Sequence, residues 1–240
     1  DMDKIMTIGK QHGIPIVEDC AHSLGTKFKN NFCGAIGKMW FYSYYPNNLI
    51  TTGEGRAVTR NGSNIFRTVN LLRSQGMDNS PELREKHSKW KYDILDLGYN
   101  YRLDEIRSAL GYSQISRINT INKMRKKIAN QYNNKLEKIN GIVIPKTISE
   151  GNHIYHLYTI KVDKHYHLTR DDLFNKLSKN GIGASVQYTP IHELDFYKKN
   201  FNIKNSNFPS ATKLQSEVLC LPIFPQMMQK QFEKVISVIK

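Results

Sequence analysis

A disulfide framework is the first thing this sequence lacks. Its three cysteines, Cys20, Cys33 and Cys220, are odd in number and far apart. They frame neither a disulfide scaffold nor a zinc pattern. The eight histidines are scattered. His153 with His156 and His165 with His167 come close together, but no carboxylate or cysteine pattern completes a ligand set, so no metal is expected. No apolar run approaches the roughly 20 residues of a membrane span, and no charged-then-apolar leader opens the chain. The expectation is a cytoplasmic protein with no membrane partner. Acidic residues are scarce: 21 Asp and Glu stand against 35 Lys and Arg, a net charge of +14. Such a field favours anionic partners, either nucleic acid or a phosphorylated small molecule. The densest basic cluster, Met124-Arg125-Lys126-Lys127, reads as the solvated face of a helix. No zinc finger, RNA-binding aromatic motif or helix-turn-helix signature accompanies it, and no nucleic-acid partner is expected.

What is present is a globular chain. Its 240 residues are 39% hydrophobic and 10% aromatic, enough for one large or two modest domains. Residues 3–13 read as a helix stopped by Gly13. Ile14 to Val17 reads as a buried strand that delivers Glu18-Asp19 at its carboxyl end, the pattern of an α/β unit with a parallel sheet. Further strands are expected at Met39–Tyr45 and Ala57–Thr59, and a helix at Ser63–Arg73. Asn79 to Tyr92 reads as a loop or excursion. Leu103 to about Ile139 has helical periodicity, broken or bent near Gly111. Gly141 marks a boundary between a large domain, 1–140, and a smaller α+β domain, 141–240. In the latter, strands are expected at Ile154–Val162 and Ala184–Tyr188. Thr169 should cap a helix to Lys179, and helices should close the chain at Ala211–Val218 and Met228–Ile239.

The stretch FYSYYPNNLITTGEG, Phe41 to Gly55, has the composition of a ligand-facing corner. An aromatic strand ends at Pro46, which has no ladder donor. Asn47 and Asn48 form a turn, and Gly53 and Gly55 allow a tight turn or close approach to a ligand. This stretch resembles the cofactor-lysine segment of the DegT/DnrJ/StrS family of pyridoxal-phosphate sugar aminotransferases, S-F-x-x-x-K-x-(I/L)-x-x-G-E-G. Ser43, Tyr44, Ile50, Gly53, Glu54 and Gly55 fit it. EDCAHSLG, Glu18 to Gly25, resembles the family's E-D-x-A-(H/Q)-x-x-G. GYNYRLDEIRSALG, Gly98 to Gly111, resembles its G-x-N-x-R-(M/L)-x-(D/E)-(I/L)-x-A-A-x-G. A weaker likeness, Ser185 to His192, falls on V-x-Y-x-P-(I/L)-H.

The resemblance implies the C-terminal part of a fold-type-I transferase: an incomplete, mostly parallel sheet with helices, plus the small α+β domain. It implies pyridoxal 5'-phosphate as cofactor, a nucleotide-linked keto sugar and glutamate as substrates, and a homodimer. Asp19 would pair with the pyridinium nitrogen, and His22 would touch the ring or its hydroxyl. Ser43 would bond the phosphate, and Asn100 would reach the neighbouring subunit's phosphate. Arg102 would be a structural or substrate-side cation, and Tyr188 and His192 would lie near the sugar nucleotide. The family's further N-terminal segment, with its phosphate loop, is not seen in this sequence. Two positions depart from the pattern. Arg56 stands where the family has a fourth residue of GEGG, and Asn48 stands at the lysine. An amide is neither basic nor nucleophilic, so amino transfer is expected to be impaired. The alternatives are a non-catalytic or regulatory nucleotide-sugar-binding relative, or a member of the branch that dehydrates sugars.

Overall fold

The computed structural model describes residues 1–60, 63–78, 90–148, 150–201, 203 and 207–240. Most of the expected excursion at 79–92 therefore lies outside the described residues. The chain divides into two compact units, Asp1–Asn119 with Glu150–Asn152, and Thr120–Ser149 with His153–Lys240. Gly141 thus falls inside the second unit.

In the first unit, α1 (Met2–Gln11) starts at the N-cap Asp1, whose carboxylate accepts from the Lys4 amide. A three-stranded sheet follows, in the order β1 (Val17–Asp19), β4 (Met39–Ser43), β5 (Arg56–Arg60). β1 runs parallel to β4, with Val17 opposite Met39 and Asp19 opposite Phe41. β5 runs antiparallel to β4, with Phe41 opposite Val58. Opposed residues share a face and successive residues alternate. Glu18, Trp40 and Tyr42 therefore lie on one side, and Val17, Asp19, Phe41, Ser43 and Val58 on the other. Glu18 and Trp40 are buried, whereas Val17, Phe41 and Val58 are exposed. The expected buried strand from Ile14 starts three residues late, and Ile14 itself is exposed. β2 (Lys27–Phe28) joins β3 (Asn31–Phe32) and β7 (Gly151–Asn152) in a second antiparallel sheet. α2 (Ser63–Arg73) matches its expected span.

The long helical stretch forms two helices, α3 (Glu105–Ile115) and α4 (Ile118–Leu136). The interruption falls at Ser116 and Arg117, not at Gly111. Asp104, not Leu103, opens α3, its carboxylate accepting from the Arg107 amide at 2.8 Å. Gly111 is needed for closeness: a Cβ there would lie 2.9 Å from the Thr52 methyl.

The second unit is built on an antiparallel sheet, β6 (Ile142–Val143), β8 (Tyr158–Val162) and β9 (Val218–Leu221). Its core takes Ile128, Ala129, Tyr132 and Leu136 from α4, one face at helical spacing. These meet Leu173 and Leu177 of α5 (Arg170–Lys179) and Phe232, Val235, Ile236 and Ile239 of α8 (Gln229–Ile239). Each fully buried aliphatic side chain contributes roughly 1.5–3 kcal/mol. Thr169 caps α5 as expected, in a reciprocal box with Asp172, an arrangement that contributes about 1 kcal/mol. α6 (Asp195–Phe201) and α7 (Pro209–Glu217) complete the described helices.

This unit departs from the sequence reading in three places, the first being that the strand expected from Ile154 begins at Tyr158. Ala184–Tyr188 makes only a single bridge, Ser185 with Cys220, and no strand. The solvated basic face loses Arg125, which is buried. Its guanidinium donates to the Tyr155 carbonyl through Nε (3.1 Å) and Nη2 (2.9 Å), and to the His156 carbonyl at 2.6 Å. Burial lowers its pKa to about 10. Tyr155 needs this brace because its φ of 52° is left-handed, a conformation costing about 1–2 kcal/mol in a non-glycine residue.

Candidate functional site

The sheet of the first unit brings two of the candidate residues to one end. Asp19 closes β1 and Ser43 closes β4, on the same open face and two residues apart in register, roughly 7 Å along the strand. Asp19 is exposed, and its Oδ1 accepts the Ala21 amide at 3.0 Å. The acid buried at this strand end is Glu18. That side chain is 8% exposed. Its Oε2 accepts the Gly34 amide at 2.7 Å, and its Oε1 accepts the amides of Ile36 (2.9 Å) and Gly37 (2.6 Å). His22 lies exposed in the turn after β1.

Beyond Ser43 the chain folds into the corner that the glycines foreshadowed. The Asn48 amide Nδ2 donates to the Ser43 carbonyl at 2.9 Å, and its backbone N–H closes a turn on Tyr45. Tyr44 bonds Gly55 through its N–H and Thr52 through its carbonyl. Gly53 has φ of 78°, and a Cβ there would meet nothing within 4 Å, so the turn leaves space beside it. At Gly55 a Cβ would lie 2.3 Å from the Thr52 hydroxyl and 3.1 Å from Leu103, so the glycine is sterically required.

Gln114, on α3, holds this corner from outside. Its carboxamide donates to the Thr51 carbonyl at 2.5 Å and accepts from the Thr51 amide at 3.2 Å. The partners are 63 residues apart, and a lone glutamine in a helix carries no local sign of such a role. Gln114→Ala should lower stability by about 1–2 kcal/mol. A urea midpoint and the exchange rate of the Thr51 amide measure it, the amide losing protection in the variant.

Cys20 follows Asp19 and is 1% exposed. Burial is the main cause that pushes its thiol up to about 11, with the charge of Glu18 adding to it. Cys33 is also raised, by burial first, but is less covered. Near pH 8 a disulfide reagent should label Cys33 before Cys20, and Cys20 should react only with global unfolding. Counting thiols against denaturant concentration checks this order.

Asn100 and Arg102 lie on a segment zipped to the end of α2. Ser74 bridges Asn100, Tyr101 N–H donates to the Arg73 carbonyl, and Arg102 Nη1 reaches Gln75 Oε1 at 3.3 Å. Asn100 is exposed. In the second unit Tyr188 is 68% exposed, whereas His192 is 6% exposed. His192 Nε2 pairs with the Thr212 hydroxyl at 2.9 Å, and its ring stacks on Phe208, with centroids 4.9 Å apart. These contacts join the turn Ile191–Glu193 to α7 and to Phe208 before it. Among the described residues no group of His, Cys, Asp and Glu could hold a metal ion, and no helix is long and apolar enough to cross a membrane.

The chain is similar to known proteins over its whole length. The chain is 31% identical over 221 residues to the UDP-4-amino-4,6-dideoxy-N-acetyl-beta-L-altrosamine transaminase of Campylobacter jejuni serotype O:23/36, covering 92% of this chain and 57% of that protein. It is 30% identical over 243 residues to the spore coat polysaccharide biosynthesis protein SpsC of Bacillus subtilis, covering 100% of this chain and 62% of that protein. The fold matches DesV of S. venezuelae, solved in complex with a ketimine intermediate, with a TM-score of 0.87 and 27% identity, over 100% of this chain and 60% of that one. The chain thus spans about 60% of the length of the curated relatives it matches. Residues 1–240 match one family throughout, and the chain belongs to it: the DegT/DnrJ/EryC1/StrS aminotransferase family.

Proposed function

We propose that this chain carries the cofactor corner and C-terminal part of a pyridoxal-phosphate aminotransferase, and that amino transfer is impaired in it. The substrate class is a keto sugar attached to a nucleotide, glutamate is the amino donor, and the working unit is a cytoplasmic homodimer. The observation that carries the impairment is the side chain at 48. Asn48 spends its amide on the Ser43 carbonyl. An amide nitrogen can neither attack a carbonyl nor relay a proton.

The residues suit a non-covalent hold on the cofactor. Pyridoxal phosphate supplies an electron sink when bound. The exposed Asp19 carboxylate would pair with its protonated ring nitrogen, and Asp19 is kept in one rotamer by the Ala21 amide. The Ser43 hydroxyl can donate to a phosphate oxygen, and His22 would lie against the ring. Gly53 leaves space for a ligand beside the corner. Asn100, exposed, would serve the neighbouring subunit's phosphate. On the sugar side Tyr188 and Arg102 remain candidates, and His192 braces the loop that presents Tyr188.

The occupied Asn48 amide equally favours a second reading, a nucleotide-sugar-binding relative without transfer activity. An assay with glutamate and a UDP-linked keto sugar tests both. No 2-oxoglutarate is expected above background, while pyridoxal phosphate and the sugar nucleotide still bind. Turnover in the ordinary range of roughly 1–1000 per second would refute impairment. Absence of any binding would refute both readings.

A further inference from the structure

We infer that Glu18 is a positioning residue that selects which of two adjacent carboxylates faces the cofactor. The inference rests on the proposed role of Asp19. β1 is three residues long and pairs only with β4 among the described strands. Its sequence places two acids side by side, so a slip of one residue would exchange Glu18 and Asp19 between the faces. A ladder this short resists such a slip weakly.

The buried side resolves the ambiguity. The turn before β4 presents the amides of Gly34, Ile36 and Gly37 in one concave arc, and all three donate to the Glu18 carboxylate. The arc fits closely. Gly34 has φ of 89°, and a Cβ there would overlap the Tyr42 hydroxyl region at 2.1 Å. A Cβ on Gly37 would lie 2.7 Å from the Ile16 carbonyl. The Lys38 amide bonds that same Ile16 carbonyl at 2.9 Å, so the turn and β1 are tied at two successive residues. A carboxylate accepting several backbone amides is a strong, directional anchor. It holds residue 18 inward and therefore turns residue 19 outward.

Glu18→Gln tests this, because an amide keeps the volume but offers one acceptor oxygen where the arc needs two. Amide exchange in the full chain, without ligand, is the first arm. Gly34, Ile36 and Gly37 should exchange at least about tenfold faster. The Ala21 amide, which bonds Asp19, should lose protection with them. Pyridoxal phosphate is the probe of the second arm. Its affinity should fall about tenfold, and the nitrogen-15 shift of its ring should move toward that seen with Asp19→Asn. The double variant should be no worse than Asp19→Asn alone, as expected for residues acting as a unit. Fast exchange at 34–37 with Ala21 protection, ring shift and affinity unchanged would overturn the proposal and leave Glu18 a purely structural clamp. Additive losses in the double variant would overturn it too. If the unaltered chain binds no pyridoxal phosphate, the proposed function fails, and the Ala21 amide still decides the role of Glu18.

Discussion

Asn48→Lys should convert reversible cofactor binding into covalent attachment. The corner around position 48 depends mainly on backbone bonds: Tyr44 to Gly55, Thr52 to Tyr44, and the Gln114 clamp on Thr51. Removing the Asn48 amide deletes one bond, to Ser43, at a cost of about 1 kcal/mol. The corner should therefore survive the change. A lysine there supplies the nucleophile and base that the amide cannot be. Pyridoxal phosphate added to this variant and reduced with borohydride should appear by mass spectrometry on the peptide containing position 48. The unaltered chain, treated alike, should carry no label on that peptide. Label on the peptide containing Lys38 in the unaltered chain would show that another amine serves the site.

Tyr132→Ala should give the largest loss of stability, roughly 3–5 kcal/mol. Tyr132 is fully buried at the centre of the second unit. Its ring lies 4.7 Å from that of Tyr158 and 4.9 Å from that of Phe232. Its hydroxyl donates to the Pro222 carbonyl at 2.9 Å. Burial drives the phenol pKa up, so the hydroxyl stays a donor throughout the ordinary pH range. Tyr132→Phe separates the terms: it keeps the ring contacts, strands one carbonyl and should cost about 1–2 kcal/mol. Urea unfolding followed by circular dichroism measures both, and equal losses in the two variants would shift the weight from packing to the hydrogen bond.

Elements specified by local chemistry were legible in the sequence. Thr169 with Asp172 is a capping box within four residues, and α5 spans its expected range. The aromatic strand and glycine turn of 41–55 likewise declare themselves over a short stretch. What the sequence did not reveal depends on distant partners. Glu18 and Asp19 differ by one methylene, and which is buried depends on which sheet face is covered. Arg125 reads as surface charge because its carbonyl partners lie 30 and 31 residues on. The bend expected at Gly111 fell at Ser116, and Gly111 answers instead to Thr52, in the turn before β5. The motif around His192 gave no sign that its ring packs against Phe208 and pairs with Thr212, partners 16 and 20 residues further on.

The most direct test of the site is equilibrium dialysis of the unaltered chain against pyridoxal phosphate, beside Asp19→Asn. Saturable binding that dialysis fully reverses is expected, weakened at least about tenfold in the variant. Cofactor that survives dialysis of the unaltered chain, or equal binding by the two proteins, would contradict it.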